Sequence, residues 1–370
     1  MSNTLAAALF LAQVSSAGRE ISYRWIPTLD MESLDLVPHD SAVNTQRVND
    51  ATLHGASAWA VILAGGDGRR LQALTRDAAG ISVPKQFCSL QGGPCLLEDA
   101  LQRASTVAPR RRVCTVIAAG HQRWWDALVG DLPEQNLIVE PCNRGTAHAV
   151  LLSLLHILAR DPDAHVVLLP ADHYVADEDT LAAALRRAAD LARSNDRAVY
   201  LLGIEPEVPD PELGYILPSP RRFSGSATPV VQFVEKPDVL TAIELIDRGA
   251  LWNAFIMAGS VCALLRLFDS SFSSTIASVS HMVERGMRFR SARLDKFYAR
   301  LRSVDFSHDV LQGRETTLQV LPVSRCGWTD LGTPQRLGVT LKRLRENSDA
   351  PRLHTTPLHL NLAEQYARGS

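Results

Sequence analysis

Six apolar residues, Trp59-Ala60-Val61-Ile62-Leu63-Ala64, run without a break into Gly65-Gly66-Asp67-Gly68. A short apolar run that ends in glycines reads as a strand covered on both faces, which is the habit of parallel sheets. The same texture returns at 113–118, 136–139, 165–170 and 198–202, with helical patterns between at 96–105, 121–129, 146–160 and 178–194. In the last helix Leu181, Leu185, Ala188, Ala189 and Ala192 fall on one face. Strands alternating with helices imply right-handed crossovers. The expected fold is α/β, a Rossmann-like, mostly parallel sheet flanked by helices. After Pro206 the pattern shifts, and short strands at 214–217 and 230–234 predict a small antiparallel subsheet. Helices at 238–248, 260–268, 273–286 and 334–346 and a strand at 317–322 complete the reading.

Residues 1–57 lack this rhythm and read as a poorly ordered N-terminal extension with one short helix at 4–14. The domain is expected over 58–346, followed by a C-terminal tail at 347–370. The apolar stretch Leu5–Ala12 imitates a signal peptide, but no Lys or Arg precedes it, so a cytoplasmic protein is expected. Lys and Arg number 38 against 40 Asp and Glu, a net charge of −2 that gives no whole-chain drive toward nucleic acid or an anionic membrane. The six cysteines form no Cys-x-x-Cys pair, which argues against a zinc site or a disulfide scaffold and for reduced thiols near the core.

The glycine loop carries the chemistry. Three glycines in four residues allow backbone N–H groups to approach a common anion, and Arg69 and Arg70 follow directly with forked cationic donors. Neither a Walker loop nor the dinucleotide fingerprint fits, because Leu71 stands where the latter needs its third glycine. Lys85, stiffened by Pro84, can bring a point charge to the same place. Asp172 lies just past the predicted strand at 165–170, where open α/β sheets bind ligands, and Asp330 sits in Gly327-Trp328-Thr329-Asp330-Leu331-Gly332. Two hard carboxylates suit Mg²⁺ shared with nucleotide phosphates, although each alone also suits a turn or helix cap. His173 has a weaker claim. The segment Phe233-Val234-Glu235-Lys236-Pro237 sets an acceptor for hydroxyls beside a cation, or simply ends a strand in a solvated ion pair.

Taken in order, these segments resemble the sugar-phosphate nucleotidyltransferases, most closely the mannose-1-phosphate guanylyltransferases in a form without the isomerase domain of the bifunctional members. The resemblance rests on 63–71, Pro84-Lys85-Gln86-Phe87, Glu140-Pro141-Cys142-Asn143-Arg144-Gly145-Thr146-Ala147 and Leu169-Pro170-Ala171-Asp172-His173. It continues through Gly214-Tyr215-Ile216, 233–237, Trp252-Asn253 and 327–332, and covers about 58–345. It implies that Leu63, Ala64, Gly65, Gly66, Gly68, Arg69, Arg70, Lys85, Gly145 and Thr146 bind the nucleotide. Catalysis falls to Arg70, Lys85 and Asp172, the sugar phosphate to Gly214, Glu235, Lys236 and Asn253, and Mg²⁺ to Asp172 and Asp330.

The implied reaction is transfer of a nucleotidyl group from a nucleoside triphosphate to a sugar 1-phosphate, with GTP and mannose 1-phosphate giving GDP-mannose as the first expectation. Glucose 1-phosphate with UTP or dTTP is the alternative within the class, and an inactive nucleotide-sugar-binding regulatory protein the alternative outside it. A homo-oligomer is compatible with the resemblance; nucleic acid and membrane are not expected partners. The sequence departs from the family pattern at Arg69, where Thr is usual, at His148, where Pro is usual, and at Ala254-Phe255, where a glycine is usual. The stretch between Arg76 and Pro84 is also a few residues longer.

Overall fold

The apolar run after Ala58 becomes strand β1 (Trp59–Ala64), flanked in parallel by β2 (Val113–Ala118) and β4 (His165–Pro170), with β3 (Leu137–Glu140) outside β2. The computed structural model describes residues 58–77, 79–220, 227–286 and 291–346, together with the strands Leu9–Val14, Ile21–Ile26 and Leu360–Asn361. The chain divides into two compact units, 1–55 and 56–370.

Five further strands complete the sheet of the larger unit: β5 (Val199–Ile204), β6 (Tyr215–Pro218), β7 (Thr228–Val234), β8 (Leu251–Ser260) and β9 (Leu318–Val323). Their order is β3-β2-β1-β4-β8-β5-β9-β7-β6. The sheet is parallel except at β8, which runs against both β4 and β5, and at β7, which runs against β9 and β6. The expected antiparallel pair forms as β6 and β7 and is continuous with the main sheet. β6 also pairs with β8 through Leu251 and Ile216.

Four helices position the site. Helix α1 (Thr146–Leu158) buries residues on nearly every face, from Ala147 to Leu158, because it lies beneath the sheet between other elements. α2 (Glu178–Ser194) buries Leu181, Leu185, Ala188, Ala189 and Ala192, as its periodicity predicts, and Asp177 caps it by accepting the Thr180 N–H at 3.0 Å. α3 is Ala292–Tyr298 and α4 Pro334–Glu346. Burying each Leu of such faces contributes roughly 1.5–3 kcal/mol, so the Leu-rich α1 is anchored firmly against β1 and β2. The six cysteines are free, four of them buried and two half-buried.

Two expectations fail. Residues 9–14 form a strand rather than the expected helix, paired antiparallel from Leu9 with Ile26 to Val14 with Ile21. The partner segment Ile-Ser-Tyr-Arg-Trp-Ile is rich in β-branched and aromatic residues, and pairing with it overrides the helix preference of Ala and Leu. The rest of the expected extension, and the tail apart from Leu360–Asn361, lie outside the described residues. The second failure is β8, a ten-residue strand where only a site segment was expected. No helix among the described residues is long and apolar enough to cross a membrane.

Candidate active site

A cleft of about 260 Å³ opens outside the carboxyl ends of β1 and β4, at the place where open α/β sheets receive ligands. Leu63, Ala64, Gly65, Gly66 and Arg70 line it from the glycine loop. A Cβ on Gly65 would stand 2.9 Å from Glu140 Oε2, so any side chain there would displace the Glu140 carboxylate. Gln86 holds the loop from behind, its Nε2 donating to the carbonyls of Ala64 at 2.7 Å and Gly66 at 3.0 Å. Gly68, at φ +59°, packs against the Lys85 backbone and does not face the cleft. Arg69 points outward as well, 82% exposed and paired with Asp67 at 3.2 Å. The two adjacent arginines thus have different surroundings, because Arg70 reaches into the cleft and meets Glu212 Oε2 at 2.6 Å.

Lys85 is 7% exposed. Its Nζ lies 3.0 Å from Asp172 Oδ2 and also donates to the Asp330 carbonyl, so one buried ammonium ties together the two predicted acids. Their approach is fixed by a bridge in which the Tyr174 and Thr329 backbones exchange hydrogen bonds, each 2.9 Å. Burial pushes against ionisation of Asp172, but the Lys85 ammonium outweighs it and holds the carboxyl below its ordinary value. His173 is pushed down to about 4 by burial and is therefore neutral near pH 7. Trp328 Nε1 donates to its Nδ1 at 3.2 Å, which leaves the ring proton on Nε2, 3.7 Å from Asp172 Oδ1.

Asp330 Oδ1 accepts the Gly332 N–H at 2.9 Å and lies 3.0 Å from Arg336 Nη1, whose other partner is Asp210 at 3.3 Å. Among the described residues no three His, Cys, Asp or Glu side chains form a metal cage. Asp172 and Asp330 are the residues that could hold Mg²⁺, since that ion can use one or two carboxylates and complete its shell with phosphate oxygens and water.

At the opposite end Gly214, Glu235, Lys236 and Asn253 line the same cleft. A Cβ on Gly214 would meet Glu235 Oε2 at 2.6 Å and Asn253 Cβ at 3.3 Å, and the Gly214 carbonyl accepts the Asn253 N–H at 2.8 Å. Burial pushes Glu235 up to about 7, against the pull of Lys236, whose Nζ stands 3.7 Å away. Three non-glycine residues among those described have left-handed backbones: Lys236 and Phe255 line this cleft, and Leu331 adjoins Asp330. Strain of this kind collects at functional sites.

Gly145 and Thr146 line the third side, under a strap formed by 302–306. The strap binds through Val304 to Arg144 and Ala147, and through the Phe306 N–H donating to Thr146 Oγ1 at 2.9 Å. His148, a departure from the family pattern, is buried and binds the Arg302 carbonyl at 3.0 Å, so it holds the strap. Glu140 ends β3 at this edge; its Oε1 accepts from the Tyr298 hydroxyl at 3.1 Å, and burial pushes it up to about 8. Glu140, Gln86, Glu212 and Phe255 were not singled out for roles from sequence. For Glu140 the available signal was its position just past a predicted strand, the same signal that marks Asp172.

A mostly parallel sheet with a glycine loop, paired acids and cations at its carboxyl edge is the form of an α/β protein built to receive a phosphate-bearing ligand. The chain belongs to the nucleotidyl transferase family, whose model matches residues 59–346. It is 31% identical over 297 residues to mannose-1-phosphate guanylyltransferase 2 of Escherichia coli O157:H7, covering 75% of this chain and 58% of that protein. It is 29% identical over 319 residues to the xanthan biosynthesis protein XanB of Xanthomonas campestris pv. campestris, covering 84% and 64%. The chain thus spans about three fifths of the length of these relatives. A crystal structure from Thermus thermophilus described as a mannose-1-phosphate geranyltransferase superposes with a TM-score of 0.62 at 30% identity, over 75% of this chain and 76% of that one.

Proposed function

We propose that the protein transfers a nucleotidyl group from a nucleoside triphosphate to a sugar 1-phosphate, with GTP and mannose 1-phosphate as substrates and GDP-mannose and pyrophosphate as products. The observation that carries this reading is Lys85, which gathers Asp172 and Asp330 in a cleft that also receives Arg70 and the Glu235–Lys236 pair. An oxygen of the sugar phosphate attacks the α-phosphorus in line, and the bond to the pyrophosphate oxygen breaks, with pyrophosphate leaving as the electron pair's acceptor. The nucleophile is already ionised near neutral pH, so no general base is needed. The protein's task is to hold two anions together and to offset the charge that builds on the leaving group.

Arg70 and Lys85 supply cations for that charge. Asp172 and Asp330 would hold Mg²⁺, which neutralises phosphate charge when bound. Glu235 and Asn253 accept and donate to sugar hydroxyls, and Lys236 receives the sugar's phosphate. The mannosyl and guanylyl names of the similar proteins support the choice of substrates.

Glu140 supports guanine in particular. A carboxylate at the β3 edge can accept from both N1–H and the exocyclic amine of guanine, whereas uracil and thymine offer a single N–H beside carbonyls. Pyrophosphate release should be measured with Mg²⁺ for GTP, UTP, dTTP, CTP and ATP against mannose 1-phosphate and glucose 1-phosphate, with Asp172→Ala as control. Turnover confined to GTP with mannose 1-phosphate, and lost in the control, is the expected result. Preference for UTP or dTTP with glucose 1-phosphate would replace the substrates. Nucleotide binding without turnover by any pair would overturn the reaction.

A further inference from the structure

Phe255 carries a φ of +54°, a backbone conformation that bulky side chains rarely adopt. It lies in an irregular stretch of β8, where Asn253 faces Gly203 and Met257 faces Leu201, so four steps along β8 span two along β5. Bulges of this kind re-aim a side chain beside a site. Every other residue of β8 is buried, whereas Phe255 is only half-buried and lines the cleft. Asn253 Oδ1 accepts the Phe255 N–H at 3.0 Å, and the ring meets Phe306 edge-to-face at 6.0 Å. The strap residue thus braces an aromatic ring at the sugar end. A glycine would meet the backbone requirement without strain, yet the chain keeps a phenyl ring there.

We propose that Phe255 is a specificity-determining residue for the sugar, a deduction that rests on the nucleotidyl-transfer reading above. A pyranose has an apolar C–H face and a rim of hydroxyls. The ring of Phe255 takes the face, while Glu235 and Asn253 take hydroxyls of the rim. The same ring fills space that a bulky substituent would need. The substrate class is therefore a hexose 1-phosphate without an N-acyl group, and N-acetylhexosamine 1-phosphates are excluded by bulk.

The test is calorimetric binding of mannose 1-phosphate, glucose 1-phosphate and N-acetylglucosamine 1-phosphate to the full chain, in the presence of an α,β-methylene analogue of GTP. Wild type, Phe255→Gly and Phe255→Leu are compared, and melting curves establish that each is folded. Wild type should prefer its hexose 1-phosphate over the N-acetyl compound. In Phe255→Gly that ratio should shrink by about tenfold, since bulk is removed where shape carries the discrimination. Phe255→Leu should retain the exclusion but lose roughly three- to tenfold in hexose affinity with the aromatic face. An unchanged ratio in folded Phe255→Gly overturns this assignment and leaves nucleotidyl transfer standing. Wild type that binds no sugar 1-phosphate overturns both.

Discussion

Arg70 Nη1 and Glu212 Oε2 stand 2.6 Å apart at the mouth of the cleft, joining the glycine loop after β1 to the turn before β6. The cation that the loop directs into the cleft is thereby occupied by an internal carboxylate. A triphosphate that uses Arg70 must displace Glu212. Both side chains are about half exposed, so the pair is screened by water and worth at most about 1 kcal/mol. Glu212→Gln should lower KM for the nucleoside triphosphate by up to about fivefold with little change in kcat. Steady-state kinetics at low and high salt check this, and the benefit of the substitution should shrink as salt rises. A higher KM in Glu212→Gln would show that the carboxylate assists binding instead.

Lys85 has no comparable freedom. It is buried against Asp172 and the Asp330 carbonyl, and Arg cannot replace it without new space for a planar fork. Lys85→Met should reduce kcat by roughly 10²–10³-fold, the range seen when one preorganised charge-stabilising donor is removed. Lys85→Arg should not restore it. Single-turnover measurement of pyrophosphate release reads the effect directly, and near-wild-type rates in either variant would remove Lys85 from the machinery.

Gln86 marks what sequence could and could not reveal. The strand and glycines of 59–68 were legible because they are local: an apolar run, then residues without Cβ. Asp172 was legible for the same reason, since it lies just past β4, whereas Asp330 stood out through the segment Gly327-Trp328-Thr329-Asp330-Leu331-Gly332. Gln86 works through two backbone carbonyls twenty or more residues away, and nothing in its neighbourhood announces that contact. β8 carries the same signal as β1, an apolar run over 254–258 that ends in Gly259; burial on both faces leaves no alternation, and the irregular pairing at Phe255 is visible only in the structure. Arg69 and Arg70 look equivalent in sequence, and only the turn of the chain after Gly68 separates the exposed one from the one in the cleft.

That reading of Gln86 has its own consequence. Gln86→Ala leaves the Ala64 and Gly66 carbonyls without their donor and frees the loop. Stability should fall by about 1–3 kcal/mol, the cost of a buried polar group left unpaired. KM for the nucleotide should rise with no matching change in KM for the sugar phosphate. Chemical denaturation and kinetics on the same preparation separate the two effects, and an equal rise in both KM values would contradict loop-specific anchoring.

Glu140 gives a pH dependence whose sign is fixed by its surroundings. Burial raises the carboxyl from 4.5 to about 8 in the folded protein, and the Tyr298 hydroxyl only partly offsets this. Between those values the folded state holds a proton that the unfolded chain has lost. This contribution to stability is therefore undiminished below about 4.5, declines through the interval at up to roughly 1.4 kcal/mol per pH unit, and levels off above about 8. Melting curves of ligand-free wild type should fall relative to Glu140→Gln as pH rises through that window, because the amide does not titrate. Guanine's N–H donors favour the ionised carboxylate, so binding of a guanine nucleotide near pH 7 should expel a proton. Calorimetry of GTP binding in buffers of different ionisation enthalpy measures that proton. Release in wild type that is absent in Glu140→Gln would place the base against Glu140; equal release in both would place it elsewhere.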